Sequence, residues 1–175
     1  MKTNYNKINY DANKLKKYET KILDKIVSIC EENNITYYLA YGTLLGAVRH
    51  KGFIPWDDDI DIYMKPEEYY KFKKVMLKNP DKDYFYQSLE TEKYYGLTFA
   101  KLRMNNTSVI EERIKEEKLH TGIYVDIFPL LPFPTEKKDQ EKLYNDIKLM
   151  KLLIEADLKD RRKYESFYNV VRGFA

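Results

Sequence analysis

The sequence predicts an α/β (α+β) fold in which a mixed β-sheet is flanked by helices. Segments 13–33 and 135–171 carry apolar residues at steps of three and four, the period of an amphipathic helix. Between them lie short segments rich in β-branched and aromatic residues, separated by glycine, asparagine and proline, as is typical of strands and turns. A chain of 175 residues, 43% of them hydrophobic and 34% charged, is expected to form one domain.

The N-terminal part of this fold is predicted to be a helix, a strand and a short second helix. The first helix covers 13–33, and a strand over 35–41 ends at Gly42. Thr43 is expected to cap the short helix over 44–49, so that the first backbone N–H groups of that helix point outward. A strand that ends in glycine before a helix is suited to binding phosphate.

The next elements are predicted from alternation and from proline. Residues 56–64 alternate apolar and acidic side chains, which predicts a half-buried strand. Pro66 opens a helix that breaks at Asn79-Pro80-Asp81. Six residues of this helix are expected to pack inward: Tyr69, Tyr70, Phe72, Val75, Met76 and Leu77. The remaining predicted strands cover 84–89, 97–103, 107–110 and 122–128.

Composition excludes several classes of function. Lysine and arginine number 31 against 28 acidic residues, and a net charge of +3 is too small to indicate nucleic acid binding. Cys30 is the only cysteine, so we expect a core residue in a reducing compartment, without a disulfide or a thiolate zinc cluster. No segment has the apolar length of a bilayer span, and the N-terminus lacks the core of a signal peptide. We therefore expect a cytoplasmic protein whose membrane contact, at the inner face, is peripheral.

Asp59 and Asp61 are the strongest candidates for chemistry. On a strand, residues two apart share a face and lie about 6.6 Å apart, so these carboxylates project together. Ile60 and Ile62 then enter the core. Mutual repulsion of the carboxylates favours a bound cation, and their hard oxygens suit Mg²⁺ or Mn²⁺. Asp57 is a candidate for an additional or outer ligand.

Three other interpretations fit an acidic segment of this kind. A solvated turn is disfavoured by the flanking isoleucines. A calcium-binding loop requires glycine where Ile62 stands, and Pro55 prevents a helix from leading into the loop. A glycosyltransferase pair that holds a metal and a diphosphate is not excluded by the carboxylates alone.

The glycines upstream of the acidic pair add a second part to the pattern. Gly42, Thr43 and Gly46 lie shortly before Asp59 in the sequence. Together the two segments predict a pocket in which backbone N–H groups and the Thr43 hydroxyl hold phosphate while a metal bridges the phosphate to the carboxylates.

Four blocks of sequence carry a resemblance to the LicD family, whose relatives include the fukutin-related ribitol-phosphate transferases. They are YGTLLGAVRH at 41–50, GFIPWDDDID at 52–61, KLR at 101–103 and GIYVDIFP at 122–129. The resemblance departs after Pro129, where Leu130-Leu131 stands in place of a further acidic residue. We expect a single LicD-like nucleotidyltransferase-fold domain over 1–175, shortened at its C-terminus.

The resemblance implies a nucleotidyltransferase-like mixed sheet and a defined activity. That activity is transfer of phosphocholine from CDP-choline to a hydroxyl of a cell-surface glycan, such as lipopolysaccharide or teichoic acid, with release of CMP. By the same resemblance Asp59 and Asp61 ligate the metal. Asp126 matches the third carboxylate of the fold, which ligates metal or takes the acceptor proton. The alternative for Asp126 is a strand-end carboxylate that accepts from nearby amides.

Basic residues are expected to complete the site. Arg49, Lys101 and Arg103 would neutralise the phosphate oxygens that the metal leaves uncovered, and the alternative for each is a solvated surface charge. His50 is expected to orient a hydroxyl, and the alternative is that it caps its helix.

Aromatic residues are expected to recognise the quaternary ammonium of choline. Trp56, Tyr63 and Tyr94 are the candidates near the acidic segment, and ordinary core or surface rings are the alternative. Two other functions remain open on the same fold: transfer of the nucleotide itself to a small hydroxylated acceptor, and a catalytically silent nucleotide-binding module.

Overall fold

The computed structural model describes residues 11–92, 95–109 and 119–159, without the side chains of 154–159. Its helices are α1 (Ala12–Glu32), α2 (Tyr41–His50), α3 (Pro66–Lys78) and α4 (Lys137–Lys159). Its strands are β1 (Tyr38–Leu39), β2 (Asp61–Met64), β3 (Tyr84–Gln87), β4 (Ala100–Met104) and β5 (Tyr124–Pro129). None of the helices in these residues is long and apolar enough to cross a membrane.

The strands form one mixed sheet of five strands in the order β1-β2-β5-β4-β3. β2 and β5 pair in parallel, and the other three pairs are antiparallel. A parallel pair needs a long connection between its strands, which here includes α3, β3 and β4. The predicted mixed sheet flanked by helices is therefore confirmed.

One face of the sheet builds the hydrophobic core, because alternate residues of each strand point to the same side. The buried strand residues on this side are Ile62, Met64, Ala100, Leu102, Val125 and Ile127. Two helices cover them with a set of buried side chains: Ile22, Ile26, Ile29 and Cys30 of α1, and Phe72 and Met76 of α3. Cys30 is 1% exposed, which confirms its predicted place in the core. The opposite face carries charged and aromatic side chains, among them Asp61, Lys101 and Tyr63.

The strand predicted over 35–41 is much shorter in the structure, and the helix after it begins earlier than predicted. Only Tyr38–Leu39 form β1, and α2 begins at Tyr41 with Ala40 as its N-cap residue. The prediction that Thr43 caps this helix is wrong, because the N-cap residue is Ala40, which makes no side-chain cap bond. The Thr43 hydroxyl instead accepts a hydrogen bond from the backbone N–H of Asp61 at 2.9 Å.

The strand predicted over 56–64 begins only at Asp61. The N–H of Asp57 donates to the carbonyl of Ile54 at 3.0 Å, so the chain is still turning as it enters the acidic run. Aspartate is disfavoured in strands, and three in succession keep the backbone out of the ladder until Ile60 accepts from Asp126 N–H at 3.0 Å.

Two further sequence predictions are corrected. Tyr70 and Leu77 of α3 are 46% and 43% exposed, because a helix of this length presents one stripe to the sheet and these two residues lie outside it. Residues 107–109 form no strand. Helix α3 does end at Lys78 before the predicted break, and the helix predicted over 160–171 falls outside the described residues.

Candidate active site

Three charged residues form a row across the polar face of the sheet. Asp61 of β2 pairs with Asp126 of β5, and Asp126 pairs with Lys101 of β4. Residues in register on neighbouring strands point to the same side, so the two carboxylates and the ammonium project together. The Nζ of Lys101 lies 2.8 Å from Oδ1 of Asp126. All three residues are at least nine-tenths buried, with 9%, 8% and 2% of their surface exposed.

Helix α2 holds the segment that carries the acidic residues. A Cβ on Gly46 would lie 2.5 Å from the Gly52 carbonyl oxygen and 3.1 Å from the Ile54 nitrogen, so only glycine permits this approach. Gly42 lies one turn earlier on the same side of the helix, where a Cβ would displace the end of the flexible Asp57 side chain. In the structure the two glycines therefore allow the backbone of α2 to lie against segment 52–57. Their predicted contact with phosphate stays a prediction.

The acidic cluster carries more negative charge than Lys101 balances. Burial, followed by repulsion from Asp59 and Asp126, raises the pKa of Asp61 to about 7, while Lys101 opposes the shift. The pKa of Asp59 is also raised, by burial first and then by Asp57 and Asp58. Such shifts are typical of functional sites, since structural ion pairs usually lower carboxylate pKa values.

The donor set fits a hard divalent cation that a diphosphate helps to bind. Among the described residues, no group of three or more His, Cys, Asp and Glu side chains is placed to hold a metal ion by itself. Mg²⁺ usually takes one or two carboxylates, several waters and substrate phosphates, so the neighbouring pair Asp61 and Asp126 is sufficient. Asp59 lies just before β2, and Asp57 faces Gly42 of α2. Their roles as metal ligands remain predictions.

Lys101 and Arg103 are buried cations, so the alternative that they are solvated surface charges is wrong. Arg103 is 1% exposed, and its guanidinium donates to the Gln87 side chain and, at 2.6 Å, to the Gly122 carbonyl. The Tyr124 ring centroid lies 3.4 Å from Lys101 Nζ and 4.6 Å from Arg103 Cζ. This geometry gives Arg103 a structural function, whereas Lys101 adjoins the carboxylates.

The other predicted cations lie at the exposed end of α2. Arg49 and His50 are in the last turn of that helix, and Arg49 Nε donates to His50 Nδ1 at 3.3 Å. The His50 ring lies edge-on to Trp56, with centroids 6.4 Å apart. Neither residue is hydrogen-bonded to the carboxylate row, so their phosphate-binding role stays a prediction.

A cluster of four aromatic rings adjoins the carboxylate row. Tyr63 and Phe128 each lie two residues beyond a carboxylate of the row and share its face. The Tyr63 ring centroid is 5.0 Å from Tyr41 and 6.0 Å from Phe128, and Phe128 is 4.2 Å from Phe99. The sequence analysis identified Tyr63 alone. The alternation that pairs Phe128 with Asp126 could have identified Phe128 as well.

The two other aromatic candidates for choline binding are not in this cluster. Trp56 is 79% exposed and contacts His50. Tyr94 lies outside the described residues.

The sequence analysis missed Glu19. This residue of α1 is 3% exposed, and burial together with Asp59 and Asp58 raises its pKa to about 8. Its sequence signal is a carboxylate inside an apolar helix stripe, between Leu15 and Ile22.

The raised pKa of Asp61 predicts how stability depends on pH in the absence of cations. Folded Asp61 keeps its proton up to about pH 7, whereas the unfolded residue loses it near its ordinary value of 3.8. The folded state therefore binds more protons in this interval, and the free energy of unfolding contributed by Asp61 falls as pH rises through it. In urea unfolding with a chelator present, the free energy of unfolding of Asp61→Asn should increase relative to that of the wild type as the pH rises from about 4 to about 7. A difference that is constant with pH would contradict the assignment.

The mixed sheet presents carboxylates of neighbouring strands beside a buried lysine, an arrangement that agrees with a nucleotidyltransferase-fold domain. The family model described as LicD/FKTN/FKRP, nucleotidyltransferase domain, matches residues 34–152, and the chain belongs to this family.

Three relatives show how far the similarity extends. The chain is 38% identical over 119 residues to the lipopolysaccharide cholinephosphotransferase LicD of Haemophilus influenzae, a match that covers 67% of this chain and 43% of the relative. It is 46% identical over 37 residues to the human ribitol 5-phosphate transferase FKRP, covering 21% of this chain and 8% of that protein. An uncharacterized protein of Rickettsia typhi is 51% identical over 45 residues, or 26% of this chain and 15% of the relative. The chain thus spans less than half of each of these relatives.

Proposed function

We propose that this domain transfers a substituted phosphate from a CDP-activated donor to a hydroxyl of a cell-surface glycan and releases CMP. The row formed by Asp61, Asp126 and Lys101 carries the proposal, because it places two carboxylates and a buried cation on one face. The family assignment supports the reaction class, and the cholinephosphotransferase relative supports phosphocholine as the transferred group. CDP-choline is the proposed donor.

The proposed mechanism assigns positioning and charge neutralisation to the protein, since phosphoryl transfer requires little covalent chemistry from it. Mg²⁺ or Mn²⁺ would neutralise the developing charge on the donor's diphosphate. Asp61 and Asp126 would hold the cation together with the donor's phosphates, and Asp59, just before β2, is proposed to bind it directly or through a water molecule. Lys101, fixed by its ion pair with Asp126, would keep a positive charge beside the transferred phosphate.

The first test of the reaction is the identity of the nucleotide product. With CDP-choline, Mg²⁺ and candidate glycan acceptors, the protein is expected to release CMP. Release of pyrophosphate from a nucleoside triphosphate would instead indicate transfer of the nucleotide itself. Heat of nucleotide binding without turnover of any donor would indicate a silent binding module.

We further propose that the cluster of Tyr41, Tyr63, Phe99 and Phe128 recognises the ammonium group of choline. Phosphocholine has two carbons between its oxygen and its nitrogen, and the cluster lies about 6.6 Å along the strands from the carboxylates. Tyr63→Leu is therefore expected to lower kcat/KM for CDP-choline by roughly threefold to thirtyfold, the range of one cation–π contact. CDP-ribitol, which lacks the cation, should show a smaller loss.

Trp56→Leu is the matched control for this prediction, since Trp56 is exposed and lies outside the cluster. Its preference for CDP-choline over CDP-ethanolamine and CDP-ribitol should equal that of the wild type. If Tyr63→Leu also leaves the preference unchanged, the cluster does not recognise the donor's cation.

The single cysteine, Cys30, and the proposed nucleotide-activated donor support our proposal of a cytoplasmic location, at the inner face of the membrane.

A further inference from the structure

Glu19 is a buried carboxylate on a helix that otherwise packs apolar side chains. It lies in α1, one turn before Ile22 on the stripe that enters the core, and only 3% of its surface is exposed. Within the described residues, its Oε2 atom is buried and has no hydrogen-bond partner. An apolar residue at this place would continue the stripe, so the carboxylate is retained against a desolvation penalty.

The surroundings of Glu19 direct it toward the acidic segment. Lys16, one turn earlier, donates from Nζ to the carbonyls of Ile54 and Pro55 at 3.2 and 3.1 Å. Helix α1 is thereby fixed against the turn that leads into Asp57–Asp59. The charged groups that act on Glu19 are Asp57, Asp58 and Asp59, which repel it, and Lys16, which attracts it.

Glu19 and the three carboxylates of Asp57–Asp59 lie beside one lysine, and Glu19 is the buried member of this set. Lys16 already donates to two backbone carbonyls, so it does not neutralise the cluster alone. A buried carboxylate oxygen without a hydrogen-bond partner among the described residues, on a side chain repelled by the neighbouring acidic run, is accounted for if a cation or its bound water completes the site.

We propose that Glu19 is part of the divalent-cation site and accepts a hydrogen bond from a water molecule bound to the cation. This inference rests on the proposed function, which places Mg²⁺ or Mn²⁺ at Asp59 and Asp61. We place this contact through water because, among the described residues, no group of three or more carboxylates is positioned to ligate one ion directly. Mg²⁺ keeps several of its waters in proteins, and groups that bind such waters orient the ligands and tune affinity.

Calorimetric titration of the full chain with Mg²⁺ tests this position without any reaction. Glu19→Gln keeps the shape of the side chain and removes its charge, and it is expected to weaken Mg²⁺ binding roughly tenfold to a hundredfold. Glu31→Gln is the matched control, because Glu31 is exposed on the same helix, and its affinity should equal that of the wild type. Glu19→Asp keeps the charge but shortens the side chain, and its Mg²⁺ affinity should lie between those of the wild type and Glu19→Gln.

Thermal unfolding in chelator separates a cation-site role from a structural one. Glu19→Gln should unfold at the wild-type temperature or above it, since a repelled buried carboxylate has been removed. Unchanged Mg²⁺ affinity in Glu19→Gln, with or without a loss of stability, would overturn the assignment of Glu19 while leaving the proposed function intact. Absence of Mg²⁺ binding in the wild type and in Glu31→Gln would overturn both.

Discussion

Replacing Asp61 by asparagine is expected to lower the rate of transfer by roughly 10³-fold, because the metal proposed to bind there would supply several kcal/mol of charge stabilisation. Asparagine keeps the size of the side chain but removes the charge that faces Asp126 across the parallel pair. The fold should persist. Burial and the neighbouring carboxylates raise the pKa of Asp61 to about 7, so its ionised form opposes folding in the absence of a cation.

The measurements are kcat with saturating donor and Mg²⁺, and thermal unfolding in chelator. Asp58→Asn is the matched control, since Asp58 belongs to the same acidic run but is exposed. It should retain turnover within a few-fold of the wild type. Wild-type turnover in Asp61→Asn, or an equal loss in Asp58→Asn, would remove Asp61 from the centre of the site.

Replacing Gly46 by alanine is expected to cause the second large effect, on both stability and turnover. The added Cβ would lie 2.5 Å from the Gly52 carbonyl oxygen and 3.1 Å from the Ile54 nitrogen, and both are backbone atoms that cannot rotate away. The gain in helix propensity of about 1 kcal/mol is smaller than the 1–3 kcal/mol that overpacking typically costs. Displacing segment 52–54 would also move the acidic residues that follow it.

Gly52→Ala is the control for this prediction, because a Cβ at Gly52 meets nothing within 4 Å. Thermal unfolding should show a loss of several degrees for Gly46→Ala and a change within error for Gly52→Ala. Turnover should fall at least tenfold in the first variant alone, since small displacements of positioned groups have large kinetic effects. Equal behaviour of the two variants would show that α2 does not need to lie this close to the segment.

The parts of the site that depend on local alternation were predictable from the sequence. Asp61 and Asp126 each stand between buried apolar neighbours in the sequence. This alternation of apolar and polar residues can be recognised in one segment without knowing which strand pairs with it. Their adjacency was not predictable in this way. It depends on the parallel pairing of β2 with β5, strands separated by about sixty residues whose order in a sheet is set by tertiary packing.

The errors have physical causes that local patterns do not contain. The close packing of α2 at Gly46 against the chain that follows it was not foreseen, because it appears in a sequence only as small residues four apart. Lys101 and Arg103 could not be told from surface cations, because β4 alternates apolar and cationic residues in the way typical of a strand with one solvated face, although both of its faces are buried. Glu19 was overlooked because a single charge in an apolar stripe is usually a solvated neighbour of the core.

The fate of each phosphorus of the donor tests the proposed reaction most directly. CDP-choline would be labelled separately at the α- and β-phosphorus and incubated with the protein, Mg²⁺ and the glycan acceptor. Transfer of a substituted phosphate predicts that the β label appears on the glycan and the α label in CMP. Appearance of the α label on the glycan would show nucleotide transfer instead, and a glycan that acquires neither label while the donor is consumed would show that the donor is only hydrolysed.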